Sequence, residues 1–123
     1  MVVDTGVIIE HFRAKDKFKT TLYLLPENTE LFISSVTLYE LYMGATTSEK
    51  EADVSSITKG MQILHFTDKV AYKAAQIYNL LKNQNKLIEF RDIFIAATCI
   101  VNELPLVTLN KKHFNRIAEL KLR

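Results

Sequence analysis

Residues 89–99 read Glu89-Phe90-Arg91-Asp92-Ile93-Phe94-Ile95-Ala96-Ala97-Thr98-Cys99, apolar on nearly every side except at the front. A helix with one apolar stripe lies on a core, whereas one that is apolar around most of its circumference is packed between layers. The stretch from Glu89 to Asn102 therefore reads as a central helix. The small Ala96 and Ala97 allow it to approach a sheet closely. Asp92 stands three, four and seven residues before Ile95, Ala96 and Cys99, so it heads a small, buried stripe. An acid in the first turn gains from the positive end of the helix dipole, which accounts for its sign but not for its face. Asp92 is thus a candidate functional carboxylate. Glu89, one turn earlier, reads as a solvated or accessory acid.

Working outward, Asp68 to Lys82 carries Val70, Ala71, Ala74, Ala75, Ile77, Tyr78 and Leu81 at helical spacing, the clearest amphipathic helix of the chain. Short β-branched or apolar runs at Val2-Val3, Leu31-Phe32-Ile33, Ile63 to Phe66 and Pro105 to Thr108 read as strands. Between them, Gly6 to Arg13 and Val36 to Met43 read as helices, the latter capped by Ser34 or Ser35 and stopped near Gly44. Lys15 to Leu25 reads as a helix ended by Pro26. Ser48-Glu49-Lys50-Glu51 matches a capping box, and His113 to Leu120 reads as a weaker final helix. Strands alternating with helices predict an α/β domain, a small parallel sheet covered by helices on both faces.

The 123 residues fit one domain, residues 1–123, and 48% hydrophobic with 24% charged residues is the composition of a folded globule. The net charge of +2 excludes a large polycation but not a local basic patch. The longest apolar run, Ile93 to Val101, is far short of the roughly 20 residues of a membrane span, and no basic region precedes the first apolar residues. A soluble, cytoplasmic protein is the expectation. The sole cysteine, Cys99, forms no internal disulfide and fits a reducing compartment.

In parallel sheets, ligands bind beyond the carboxyl ends of the strands. Asp4 ends the first strand, Glu40 lies one to two turns into the helix after the second, and Asn110 follows the last. Each has a structural reading. Asp4 suits an N-cap, and Thr37-Leu38-Tyr39-Glu40 has capping-box spacing, although Ser34 or Ser35 is better placed to cap and leaves Glu40 free. The set is more telling than its members. Partly buried carboxylates repel and desolvate at a cost of several kcal/mol, so a cluster at one sheet edge makes sense around a hard cation. Mg²⁺ or Mn²⁺ prefers oxygen ligands, lowers the pKa of water and offsets charge on a leaving oxygen. Metal-assisted hydrolysis of a phosphodiester follows.

The segments VVDTGVII (2–9), ISSVTLYELYMGA (33–45), EFRDIFIAATCI (89–100) and LPLVTLNKKHF (104–114) together resemble the PIN-domain ribonucleases, most closely the VapC-type toxins of toxin–antitoxin pairs. The resemblance spans Val2 to Phe114. It implies a three-layer α/β/α PIN-like fold and a Mg²⁺- or Mn²⁺-dependent endoribonuclease acting on RNA. Asp4, Glu40 and Asp92 fall on three of the family's acidic, metal-binding positions, and Asn110 is the fourth catalytic candidate. It also implies a homodimer and a cognate antitoxin. Two positions depart from the family pattern. Gly6 replaces an Asn, and Asn110 stands where an Asp is common, which brings no charge for a second ion. Gly6 also excludes a phosphatase of the haloacid dehalogenase type, which needs a second Asp there.

Two basic runs flank the motifs: Arg13, Lys15, Lys17 and Lys19, and then Lys111, Lys112, Arg116, Lys121 and Arg123. They either hold phosphates or merely solvate a surface. Arg91 is placed to orient a carboxylate or touch a phosphate, and His113 reads as a surface residue. Apolar residues around Phe18, Leu22 and Leu25 offer a surface for an antitoxin or a second subunit. Two other readings remain: a catalytically weak PIN-like protein that binds RNA or a partner, motivated by Asn110, and a stand-alone RNA-processing nuclease without an antitoxin.

Overall fold

The computed structural model describes residues 1–123. Four short strands, β1 (Val2–Val3), β2 (Phe32–Ser34), β3 (Gln62–Leu64) and β4 (Leu106–Val107), form one sheet in the order β3-β2-β1-β4. Every pairing is parallel, with Val2 opposite both Phe32 and Leu106, Val3 opposite Val107, and Ile33 opposite Ile63. Six helices surround it: α1 (Thr5–Arg13), α2 (Ser35–Gly44), α3 (Ser48–Thr58), α4 (Asp68–Asn83), α5 (Phe90–Val101) and α6 (Lys111–Phe114).

Side chains alternate across a strand, so each short strand feeds two cores. Val2 and Leu106 pack with Val70, Ala74, Ile77 and Leu81 of α4 and with Ile93, Ala96 and Ala97 of α5. Val3, Ile33 and Val107 pack on the other face with Val7 and Ile8 of α1, Leu41 of α2 and Val54 of α3. This is the three-layer arrangement expected, with α5 central. Its Ile95, Ala96, Ala97 and Cys99 are wholly buried, and each large apolar side chain so buried contributes about 1.5–3 kcal/mol. Burial also pushes the Cys99 thiol up to about 12. No helix is long and apolar enough to cross a membrane.

Four local expectations are corrected. Lys15 to Leu25 is not a helix: only Lys17–Lys19 makes a single 3-10 turn. Polar side chains there take over the backbone's bonds. The Asp16 carboxylate accepts from Phe18 N–H at 3.0 Å, Glu10 accepts from Thr21 N–H at 2.8 Å, and the buried Thr20 hydroxyl meets His11 Nδ1 at 2.7 Å. His113 to Leu120 is likewise not one helix. From the end of α6 onward, Phe114, Ile117 and Leu120 are buried at a spacing of three, and the N–H groups of Arg116, Ile117 and Leu120 bond to the third residue back rather than the fourth. The capping box at Ser48 fails by one residue: Thr47 caps α3 by accepting from Lys50 N–H, and Glu49 and Glu51 stand free in the first turn. The third strand is shorter than expected, ending at Leu64.

The strand order fixes the site. The chain leaves β1 toward β2 and β3, then crosses the sheet to add β4 on the other side of β1. Such a reversal opens a crevice at the carboxyl ends of the two strands, here where Asp4 and Thr108 emerge side by side.

Candidate acidic active site

Asp4 is the residue after β1, and its N–H donates to the carbonyl of Val107 at 3.0 Å, continuing the ladder with β4. Its backbone is extended, and it caps α1, its Oδ1 accepting from Thr5 N–H at 2.9 Å. The capping reading is therefore correct, yet it uses only one oxygen. Oδ2 accepts from the Thr108 hydroxyl at 2.7 Å, across 104 residues of sequence. Asp4 is only 7% exposed. Burial raises its pKa above the usual carboxylate range, against the pull of the Thr108 and Thr5 bonds.

Glu40 is held by a line of hydroxyls. Ser34 caps α2, its Oγ accepting from Thr37 N–H at 3.0 Å, so Glu40 is not needed as a cap. Thr5 Oγ1 lies 2.8 Å from Glu40 Oε1 and 3.1 Å from Thr37 Oγ1, and Ser34 Oγ lies 3.2 Å from Thr37 Oγ1. A hydroxyl has one proton. Because a carboxylate only accepts, Thr5 donates to Glu40, Thr37 donates to Thr5, and Ser34 donates to Thr37. All three hydroxyl residues are buried. Arg91 Nη1 also lies 3.8 Å from Glu40 Oε2, and Arg91 Nε pairs with Glu89 Oε1 at 3.1 Å. Glu89 caps α5, accepting from Arg91 N–H.

Asp92 is half-buried in the first turn of α5, and no protein donor reaches its carboxylate. Its pKa is raised to about 6, first by burial and then by the charges of Asp4, Glu89 and Glu40, with only Arg91 opposing. The three predicted acids thus share one electrostatic neighbourhood. They do not form a closed ligand cage, since no three Asp, Glu, His or Cys side chains converge that tightly. Glu40 is held instead by Thr5 and Arg91. The donor set is entirely carboxylate oxygen, which suits a hard divalent cation.

Asn110 lies elsewhere in its contacts. Its N–H donates to Thr108 Oγ1 at 3.0 Å, while its side-chain amide meets His113 Nδ1 at 2.8 Å. It therefore touches the acids only through Thr108. His113 is exposed, as expected. Two cations of the basic runs are spent on the fold: Lys17 Nζ donates to the last carbonyls of α1, His11 and Phe12, and Arg116 donates to the carbonyls of Lys86 and Leu87. Thr5 and Thr108 were not singled out by sequence. Their signal was position alone, as hydroxyl residues just beyond two strand ends.

The chain matches the PIN domain family over residues 1–120. It is 30% identical to Ribonuclease VapC1 of Methanocaldococcus jannaschii, covering all of this chain and 85% of that one. To Ribonuclease VapC10 of Mycobacterium tuberculosis it is 30% identical, covering 98% and 90%. Among solved structures it superposes on DNA-bound VapBC from Salmonella typhimurium with TM-score 0.88, 25% identity and coverage of 99% and 95%. VapBC-1 from nontypeable Haemophilus influenzae gives TM-score 0.85, 26% identity and coverage of 99% and 95%. With the sheet, its crevice and the flanking acids, these place the chain in the PIN-domain family, among the VapC ribonucleases.

Proposed function

We propose that this ribonuclease depends on Mg²⁺ or Mn²⁺ and cuts RNA endonucleolytically at the Asp4, Glu40 and Asp92 crevice. One observation carries the reading: Asp92 is half-buried beside Asp4, Glu89 and Glu40, with its carboxyl raised to about 6. A carboxylate kept among like charges needs a compensating cation. Asp4, Glu40 and Asp92 would hold the ion. Once bound, it lowers the pKa of water and offsets charge on the phosphate oxygens.

The chain's own groups do the rest. Thr108 and Thr5 N–H fix both oxygens of Asp4, and the Ser34–Thr37–Thr5 hydroxyl line aims Glu40. Arg91, bound by Glu89, stands at the mouth where a phosphodiester anion arrives. Asn110 assists by fixing Thr108 through its N–H. The relatives in VapBC complexes support a cognate antitoxin partner and a toxin role, and a cytoplasmic homodimer is proposed as the working assembly. Phe18, Tyr23 and Leu24, all exposed, offer an apolar surface for such a partner.

Calorimetric titration with Mn²⁺, run beside RNA cleavage with and without chelator, tests the reading, with Asp4→Ala as control. Metal-dependent cutting lost in that variant is the expected outcome. RNA binding without any metal-dependent cutting would favour a binding protein of the same fold. The Asn110 amide, turned to His113, is the observation on that side.

A further inference from the structure

A cleft of about 370 Å³ opens beside the acids, between the first turns of α2 and α5, lined by Ser35, Val36, Tyr39, Phe90, Arg91 and Phe94. The two helices contribute matching sets, residues 35, 36 and 39 from one and 90, 91 and 94 from the other. Phe90 and Tyr39 remain 60% and 58% exposed, in a chain that buries Phe114 completely. Phe90 is nevertheless braced: its ring meets Phe94 edge to face at 5.7 Å, and Phe94 meets Phe66 at 4.9 Å. Arg91 lies with its guanidinium carbon 5.6 Å from the Phe90 ring centre, and the same guanidinium is held between Glu89 and Glu40. Firm aromatic faces beside a fixed cation are the chemistry of single-stranded nucleic-acid binding: rings stack bases and the cation meets the backbone.

We propose that the Tyr39–Phe90 cleft is a base-stacking subsite, which holds one unpaired RNA base next to the phosphodiester presented to Asp4, Glu40 and Asp92. The inference rests on the nuclease reading above and names how the substrate is gripped. A second copy of the chain is the rival occupant of an aromatic surface. The charge pattern favours the nucleotide. A protein face laid over the cleft desolvates Arg91 together with Glu89 and Glu40, whereas a nucleotide brings its own anion to the guanidinium and leaves the acids facing the reacting phosphate.

The test uses the full chain and a short single-stranded RNA in chelator, so that nothing is cut. One 2-aminopurine is walked through the strand, and its fluorescence is read without interference because the chain has no Trp. Quenching at one position is expected. Phe90→Ala and Tyr39→Ala should remove the quench and weaken binding on the order of tenfold. Phe90→Leu keeps apolar area without a ring and should fail likewise, with circular dichroism verifying the fold. An abasic nucleotide at the quenched position should cost the unmodified chain the same factor and cost Phe90→Ala nothing further.

Additive penalties, unchanged binding in the variants, or a dimer that falls to monomer on Phe90→Ala by light scattering would each overturn the subsite. Cutting with Mn²⁺ but no position-specific quench breaks this inference alone. A chain that neither cuts nor binds breaks the nuclease reading beneath it.

Discussion

Asp4 and Asp92 stand at the same crevice and are built in opposite ways. Asp4, the more buried, has a donor on each oxygen: Thr5 N–H on one and the Thr108 hydroxyl on the other. Asp92, half-buried, has none, and three other carboxylates push against it. Fixed dipoles hold the first acid in place before anything binds, and they act at any pH where it is ionised. The second keeps its charge at a cost that a proton or a bound cation would remove. One corner of the site is therefore preorganised, and the other, on the metal-dependent function proposed above, would supply driving force for ion binding.

The largest effect expected from disturbing this contrast is on chemistry. Asp4→Asn or Asp92→Asn should each lower Mn²⁺-dependent RNA cutting on the order of 10²–10³-fold, and chelator should do the same to the unmodified chain. Equal cutting by either variant in a single-turnover assay would remove that acid from the site.

The next effect sharpens the Asp4 corner. Thr108→Val keeps the shape and deletes the donor, which leaves a buried carboxylate one bond short. A loss of about 1–3 kcal/mol is expected in urea unfolding at pH 7. The loss should shrink in acid, where a neutral Asp4 has less need of the donor. A penalty that is the same at all pH values would mean that Thr108 matters only through packing.

Asp92 should respond with the opposite sign. Its folded pKa, about 6, lies above the ordinary value of 3.8. Its contribution to stability is therefore complete below about pH 4 and is lost as pH rises through 6. Asp92→Asn removes that loss, so near pH 7 the variant should gain about 1–2 kcal/mol, after screening of a half-exposed group and a small forfeit at the helix dipole. Its advantage in melting temperature should vanish toward pH 4. A destabilised variant at pH 7 would show Asp92 to be chiefly a helix cap. The smallest effect lies next door. A Cβ at Gly6 would meet nothing within 4 Å, so Gly6→Ala in α1 should add about 0.5 kcal/mol, read from the same unfolding curves.

Much of this architecture was legible from the residues. Asp4, Glu40 and Asp92 could be placed at strand ends or helix starts because parallel strands put such positions on one side of the sheet. The all-round apolarity of Ile93 to Cys99 announced the central helix. What stayed hidden was anything decided by a partner far along the chain. Thr108 is an ordinary strand-end residue until it meets Asp4 across 104 positions, and Asn110 faces His113 for reasons of local turn geometry. The helix expected over Lys15 to Leu25 failed for a related reason: Asp16, Thr20 and Glu10 offered side-chain acceptors to the N–H groups of Phe18, Tyr23 and Thr21 in place of helical carbonyls. Periodicity reports apolar faces, and it is blind to side chains that compete for N–H groups.

Cys99 gives the molecule a built-in clock. Its thiol is sealed on the buried face of the same helix that carries Asp92 and resists ionisation, so an alkylating reagent meets it only when that helix lifts away from the sheet. With no second sulfhydryl to confuse the signal, the labelling rate counts such openings directly. Ions that tie down Asp92 should slow the count even when no RNA is present.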